Sequence, residues 1–152
     1  MLLPSRITQE IAALLQQCTE ARGFLSNVGS DVRIGAYSGD YTEAPALFIV
    51  PGRQSAEPRY ANHKVVRREY ELRAFVSVND HATLQDYEVI DLVILDVRQC
   101  LQKPWAALRE IVEQVIYVGD QPGYRESGGV IVGASIQVAV VYDIDLTLPE
   151  TT

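Results

Sequence analysis

Asp143 and Asp145 stand two residues apart near the end of a long apolar stretch, so an extended chain puts both carboxylates on one face. Two carboxylates so placed could hold a divalent cation, which prefers oxygen ligands; they could equally be solvated at a strand end. Other groups with chemical potential are few. His63 and His81 are the only histidines. His81 follows Asp80 at the expected start of a helix, where capping or surface exposure accounts for it, and His63 lies in a polar stretch. Cys18 and Cys100 fall in separate helix-like segments among apolar neighbours and read as buried, inert thiols of a reducing compartment. A zinc site needs three or four ligands at recognisable spacing, and neither histidine has a paired ligand nearby. Glu69 and Glu71 alternate with Arg67 and Arg73, which fits cross-strand ion pairing or a solvated strand face. There is no G-x-S-x-G, P-loop or G-x-G-x-x-G motif, and no nucleophile has an evident base. The residues therefore name no catalytic group, no cofactor-binding group and no metal ligand, and they point away from an enzyme.

The elements that would position any site follow from periodicity. "SRITQEIAALLQQCTEARG" (5–23) reads as a helix capped by Ser5 and ended by Gly23, with Ile7, Ile11, Leu14, Leu15 and Cys18 at helical spacing. "VRIGAY" (32–37) is a short strand, and "APALFIVPG" (44–52) a stronger one stopped by Pro51-Gly52. Residues 53–63 read as a polar loop, long enough to be either flexible or used. The stretch 64–79 is a long strand with Val66, Arg68, Tyr70, Leu72, Ala74, Val76 and Val78 on one face and Arg67, Glu69, Glu71, Arg73, Phe75 and Ser77 on the other. Residues 81–102 form a helix capped by Asp80, with a stripe from Leu84 to Leu101, and Pro104 stops it. A helical turn at Trp105–Ile111, a strand over 113–118, a turn-rich connection at 121–129, a last strand from Val130 and the tail "LPETT" complete the chain. Strands joined by loops argue for antiparallel pairing. The expected fold class is α+β, a mostly antiparallel sheet with two main helices packed on one face, in a single domain over 1–152.

Composition is that of a globular domain, 47% hydrophobic and 22% charged over 152 residues. The net charge of -7 opposes bulk attraction to nucleic acid or anionic lipid. The charge is uneven: residues 1–76 hold nine Lys/Arg and eight Asp/Glu, and residues 77–152 hold four and twelve. The basic excess sits mainly in Arg53, Arg59, Lys64, Arg67, Arg68 and Arg73. The opening "MLLPSRITQE" lacks a basic region and a long apolar core, so no signal peptide is expected. Ser135, Gln137 and Gly133 break the apolar run from Val130, so no membrane span is expected there either, and the cytoplasm is the default.

From Val130 the last strand is apolar on one face and small and neutral on the other, with Gly133, Ser135, Gln137 and Ala139 in its middle. A solvated face normally carries Lys, Glu, Arg or Thr. A small neutral face suits contact with a neighbouring chain or cover by a loop of the same chain. Arg59, Tyr60, Arg67 and Arg68 are residue types favoured at interfaces, and they fit an exposed basic loop just as well. A basic edge on an acidic protein has the polarity for head-to-tail assembly.

The order of these segments resembles the tail terminator proteins of long-tailed bacteriophages, the minor tail protein U type. The resemblance is carried by the N-terminal helix leading to "APALFIVPG", by "RREYELRAFVSV", by "TLQDYEVIDLVILDVRQCL" and by "LREIVEQVIYVGDQPGYRESGGVIVGASIQVAVVYDI". It spans about residues 5–146, and it lies in order and spacing rather than in any one motif. It implies a non-enzymatic virion protein, assembled in the host cytoplasm and placed in the tail or neck. Such a protein forms a homo-hexameric ring on the last ring of the tail tube protein, stops tube growth, and offers the head-completion or connector protein its joining surface. DNA passes through the lumen without specific binding, no membrane is involved, and no cofactor is needed. On this reading the oligomer or tube interface involves Arg53, Arg59, Tyr60, Arg67, Arg68, Arg125, Ser135 and Gln137. The neighbouring alternatives are another neck or head-completion protein and a small-ligand-binding α+β domain.

Overall fold

A strand of fifteen residues, β3 (His63–Ser77), lies at the centre of the architecture. The computed structural model describes residues 2–35, 44–103 and 106–147. Its five strands are ordered β1-β2-β3-β5-β4, with β1 at Val32–Ile34, β2 at Ala46–Pro58, β4 at Gln114–Gly123 and β5 at Ile131–Asp145. β3 is paired along its whole length with β5, from His63 opposite Asp145 to Ser77 opposite Ile131. The β2–β3 and β4–β5 pairs are also antiparallel. One pairing differs from expectation: β1 runs parallel to β2, Val32 opposite Leu47. Parallel neighbours need a connection that returns the chain to the same end of the sheet.

Helices α1 (Leu3–Leu15) and α2 (Asp86–Leu101), with the short α3 (Leu108–Ile111), cover one face of the sheet. The alternation along β3 and β5 explains this. Tyr70, Leu72, Ala74 and Val76 from β3, and Val132, Ala134, Ile136, Val138, Val140 and Tyr142 from β5, are buried against Ile7, Ile11, Leu15, Val89, Val93 and Val97. The fold is α+β with a mostly antiparallel sheet and its two main helices on one face.

The helix ends fall elsewhere than the sequence implied. α1 begins at Leu3 with Pro4 in its first turn rather than on a Ser5 cap; an early proline forfeits only an amide that no helix bond uses. It stops at Leu15, well before Gly23. Gly23 instead closes a separate 3₁₀ turn, Glu20–Arg22, in the left-handed region at φ 91°. α2 is capped by Gln85, whose backbone N–H donates to the Glu88 carboxylate at 3.1 Å, and not by Asp80. Asp80 belongs to a preceding 3₁₀ turn, Val78–His81. Leu101 ends the helix ahead of Pro104, which lies outside the described residues with Trp105, Ala36–Tyr37 and the tail from Leu148.

Two segments read as loops are strands. β2 runs on past a bulge at Pro51–Gln54 to Pro58, pairing Gln54–Pro58 with Lys64–Arg68. The polar stretch is therefore a ribbon, and only Arg59–Asn62 turn. Arg59 N–H donates to the His63 carbonyl at 3.0 Å, His63 N–H donates to the Tyr60 carbonyl at 2.8 Å, and Ala61 takes a positive φ of 47°. Likewise β4 continues through "DQPG" to Gly123, past a bulge between Tyr117 and Gly119. In both cases the added rungs are solvent-exposed, so no hydrophobic alternation marked them.

Candidate functional site

The turn of the ribbon is fastened by charge to the end of β5 and the residue before β4, at its own end of the sheet. The Arg59 guanidinium makes paired hydrogen bonds to Glu113, at 2.6 and 2.8 Å, and reaches Asp143 at 3.3 Å. His63 Nδ1 lies 2.6 Å from the other Asp143 oxygen, and its Nε2 lies 3.7 Å from Asp145. The Tyr60 ring stacks on His63 at a centroid distance of 4.5 Å. Register explains the cluster: His63 faces Asp145 across the β3–β5 ladder, and Glu113 precedes the first rung of β4. The Arg59 guanidinium holds the Glu113 carboxyl below its ordinary range. Asp145 is likewise lowered, chiefly by the Thr147 hydroxyl that donates to it at 2.6 Å. The two carboxylates that could have held a cation are thus turned to His63, Arg59 and Thr147. Among the described residues no group of three or more His, Cys, Asp or Glu is arranged to hold a metal ion.

The basic residues of the ribbon therefore divide. Arg59 is committed to Glu113 and Asp143. Arg68 lies on the helix-facing side, half-buried over the Tyr70 ring at 5.4 Å, with its Nε buried and unpartnered among the described residues. Arg53, Lys64 and Arg67 are exposed and make no ion pair among the described residues.

The face of the sheet away from the helices carries Ser135 and Gln137 at its middle. Gln137 Nε2 donates to Ser135 Oγ at 3.3 Å, and Ser135 Oγ donates to Glu71 at 3.1 Å. Glu71 in turn accepts from Arg73 Nε. Long side chains of β3 thus lie across the small residues of β5. Gly133 has an internal reason to be small: a Cβ there would stand 2.1 Å from the Ala74 carbonyl oxygen and 3.2 Å from the Phe75 ring. Phe75 itself packs edge-on against Phe48 at 6.1 Å. Part of the small-residue pattern is therefore set by the sheet, before any neighbour is considered.

Arg125 sits at the opposite end of the sheet from Arg59 and Tyr60, in the β4–β5 connection, and pairs with Asp86 at the start of α2 at 2.9 Å. Arg98 of α2 lies over the Tyr117 ring of β4 at 4.0 Å. These two contacts lay α2 along β4. Around them Asp91, Asp120 and Glu126 are exposed with no ion pair among the described residues, and Tyr87, Val118 and Tyr124 are also exposed.

The structure thus brings Arg53, Arg59, Tyr60, Arg67 and Arg68 together on one ribbon, sets Ser135 and Gln137 on the outer face, and leaves Arg125 at the other end. Sequence reasoning missed His63, Glu113 and Asp143 as the fastening of the ribbon, because only the register of three strands joins them. The thiols do pair in space: Cys100 Sγ donates to the Leu14 carbonyl at 3.1 Å, and its hydrogen bond with Cys18, together with burial, pushes the Cys18 thiol up. Both are wholly buried, so neither is placed as a nucleophile. A shallow depression lined by Gln17, Ala21, Arg22, Phe24 and Lys103 opens beyond α1. It gathers no acid–base pair. No family model matches the chain, and no curated protein matches it. No helix among the described residues is long and apolar enough to cross a membrane.

Proposed function

We propose that this chain is a structural assembly protein of the tail-terminator type, acting as a homo-oligomeric ring, a hexamer by resemblance. It would cap the head-proximal end of a phage tail tube. The observation that carries this is the uneven charge of the chain: exposed Arg53, Lys64 and Arg67 outnumber exposed Glu57 and Glu69 on the ribbon, while Asp91, Asp120 and Glu126 are exposed around α2 and β4. Chains so polarised associate head to tail, and a head-to-tail contact closes into a ring when its rotation allows. Support also comes from the order of elements, which follows the resemblance over residues 5–146. The mechanism is steric. One face of the ring repeats the docking surface of the tube and the other does not, so subunit addition stops and the head-side protein finds a different surface. A net charge of -7 keeps the lumen from gripping the DNA that passes through it.

The test is tail length by electron microscopy in the parent phage or prophage, with and without this gene. Over-long tubes lacking heads are expected. Tails of normal length that fail to join heads would reassign the protein to the neck or head-completion step. Normal infectious particles would refute both assignments and leave the ligand-binding alternative.

A further inference from the structure

The two thiols meet where the end of α1 lies against the end of α2. Cys100, in the last turn of α2, donates its thiol to the Leu14 carbonyl in the last turn of α1 at 3.1 Å. Cys18 stands just past that helix end. Its N–H donates to the Leu15 carbonyl at 3.0 Å, and its thiol is hydrogen-bonded to Cys100. Gly29, in the 3₁₀ turn Val28–Ser30, grips Cys18 from another side: its N–H donates to the Cys18 carbonyl at 2.9 Å, and a Cβ there would lie 3.0 Å from the Cys18 Cβ. Three segments thus hold the two sulfurs together. Against the effect of burial, the hydrogen bond from Cys18 holds the Cys100 thiol below its ordinary range, and the Lys103 ammonium acts in the same direction.

We propose that Cys18 and Cys100 are a dithiol that a hydroperoxide closes to a disulfide, pinning the end of α1 to the end of α2. The site stands apart from the ring reading above. In the closed fold both thiols are wholly buried, so the oxidant gains access by local opening. The segment that packs on Cys18, Thr19–Ser30, is mostly exposed and contains only two short 3₁₀ turns. The depression lined by Gln17, Phe24 and Lys103 opens beside the pair: Gln17 adjoins Cys18, and Lys103 N–H donates to the Cys100 carbonyl at 3.3 Å. The Cys100 thiolate attacks one peroxide oxygen, the O–O bond breaks, and the departing oxygen takes a proton and leaves as water or alcohol. Cys100 is then a sulfenic acid. The Cys18 sulfur attacks it, an S–S bond forms, and the S–O bond breaks, releasing water that carries the Cys18 proton. The two thiols give up two electrons and two protons, and the peroxide takes up both. A reducing compartment keeps the pair open, so the cross-link forms only where the chain meets peroxide.

The test treats the folded wild-type chain with hydrogen peroxide at neutral pH, then reads intact mass and a peptide map without reductant. The expected result is the loss of two hydrogens per chain and a link between the peptides that hold Cys18 and Cys100. Tm should rise by roughly 10 °C, because the cross-link closes a long loop of the unfolded chain. A dithiol reductant should reverse all three changes. Cys18→Ser leaves Cys100 with no thiol to resolve it, so this variant should hold a sulfenic acid that dimedone traps, with no rise in Tm; circular dichroism checks its fold. Two thiols still free after treatment, oxygen added to each sulfur with no bond between them, or links between chains instead of within one, overturn the proposal. A folded Cys18→Ser chain that takes up no dimedone overturns the place of Cys100 as the thiol oxidised first.

Discussion

Replacing Gly133 by alanine separates two explanations of the small outer face. If the residue were small only to admit a neighbouring chain, an added methyl would leave the isolated subunit unharmed. It would even stabilise it by about 0.5–1 kcal/mol, because glycine loses more backbone entropy than alanine in a strand. The structure gives the opposite sign. The new Cβ would stand 2.1 Å from the Ala74 carbonyl oxygen, in the ladder that holds β3 to β5, and 3.2 Å from Phe75. Reaching ordinary contact requires a shift of about 1 Å or more, and the atom in the way is backbone in the central strand pair. Overpacking of this kind costs about 1–3 kcal/mol, and less the entropic gain of about 0.5–1 kcal/mol the net loss is about 1 kcal/mol. For a chain of this size that lowers Tm by roughly 2–4 °C. Gly119→Ala is the matched control: nothing lies within 4 Å of its Cβ, so it should be neutral or slightly stabilising. Urea unfolding of the dissociated subunit measures both. Equal midpoints for Gly133→Ala and wild type would refute the internal explanation and return the small face to a partner.

Asp96 is wholly buried and accepts from Leu25 N–H, from Ser26 N–H at 2.7 Å and from Ser26 Oγ at 2.6 Å. Asp96→Ala strands those donors and should cost about 3–5 kcal/mol in urea unfolding, whereas a loss under about 1 kcal/mol would mean the 25–26 loop rearranges freely. Glu113 has its pKa lowered by Arg59, so its contribution is complete above the ordinary glutamate range and is lost as pH falls through the depressed value. Amide protection at Arg59, taken relative to the intrinsic exchange rate at each pH, should therefore fall on acidification, and Glu113→Gln should lower it already at neutral pH; protection indifferent to both would remove the fastening role. Gln137→Arg adds length and charge beside Ser135 and Glu71 on the outer face. It should block oligomer formation while leaving the subunit folded, and normal assembly by sedimentation would show that this face meets solvent or its own chain.

What the sequence disclosed follows burial. β3 and β5 were legible because each second residue enters the core: Tyr70, Leu72 and Ala74 alternate with Glu69, Glu71 and Arg73. α2 was legible through its stripe from Val89 to Leu101. The outer rungs of β2 and the last residues of β4 were not, because residues 52–58 and 120–123 are exposed and carry no period. Their strand character comes from the partner chain segment, Lys64–Arg68 or Gly133–Ile136, which local pattern cannot reveal. The parallel direction of β1 was hidden for a related reason: three residues cannot record which way they pair. At the candidate site the residue types were readable and their commitments were not. Arg59 and Arg67 look alike in the sequence, and only register shows that Glu113 stands beside the first of them.

That difference yields a test within one ribbon. Arg59 is tied to Glu113 and Asp143, so its loss frees the turn and leaves two carboxylates side by side. Arg67 pairs with nothing described, so its loss leaves the subunit as it was. Arg59→Ala should therefore quicken amide exchange through the turn and weaken assembly indirectly, because a mobile ribbon must be ordered on binding. Arg67→Ala should leave exchange in the free subunit unchanged, and it should weaken assembly with a smaller dependence on salt than wild type, since one screened charge pair is missing. Exchange measured on dissociated subunits and sedimentation over a salt series separate the two. If Arg67→Ala quickens exchange in the free subunit, its charge serves the fold, and the distinction between committed and spare cations on the ribbon is wrong.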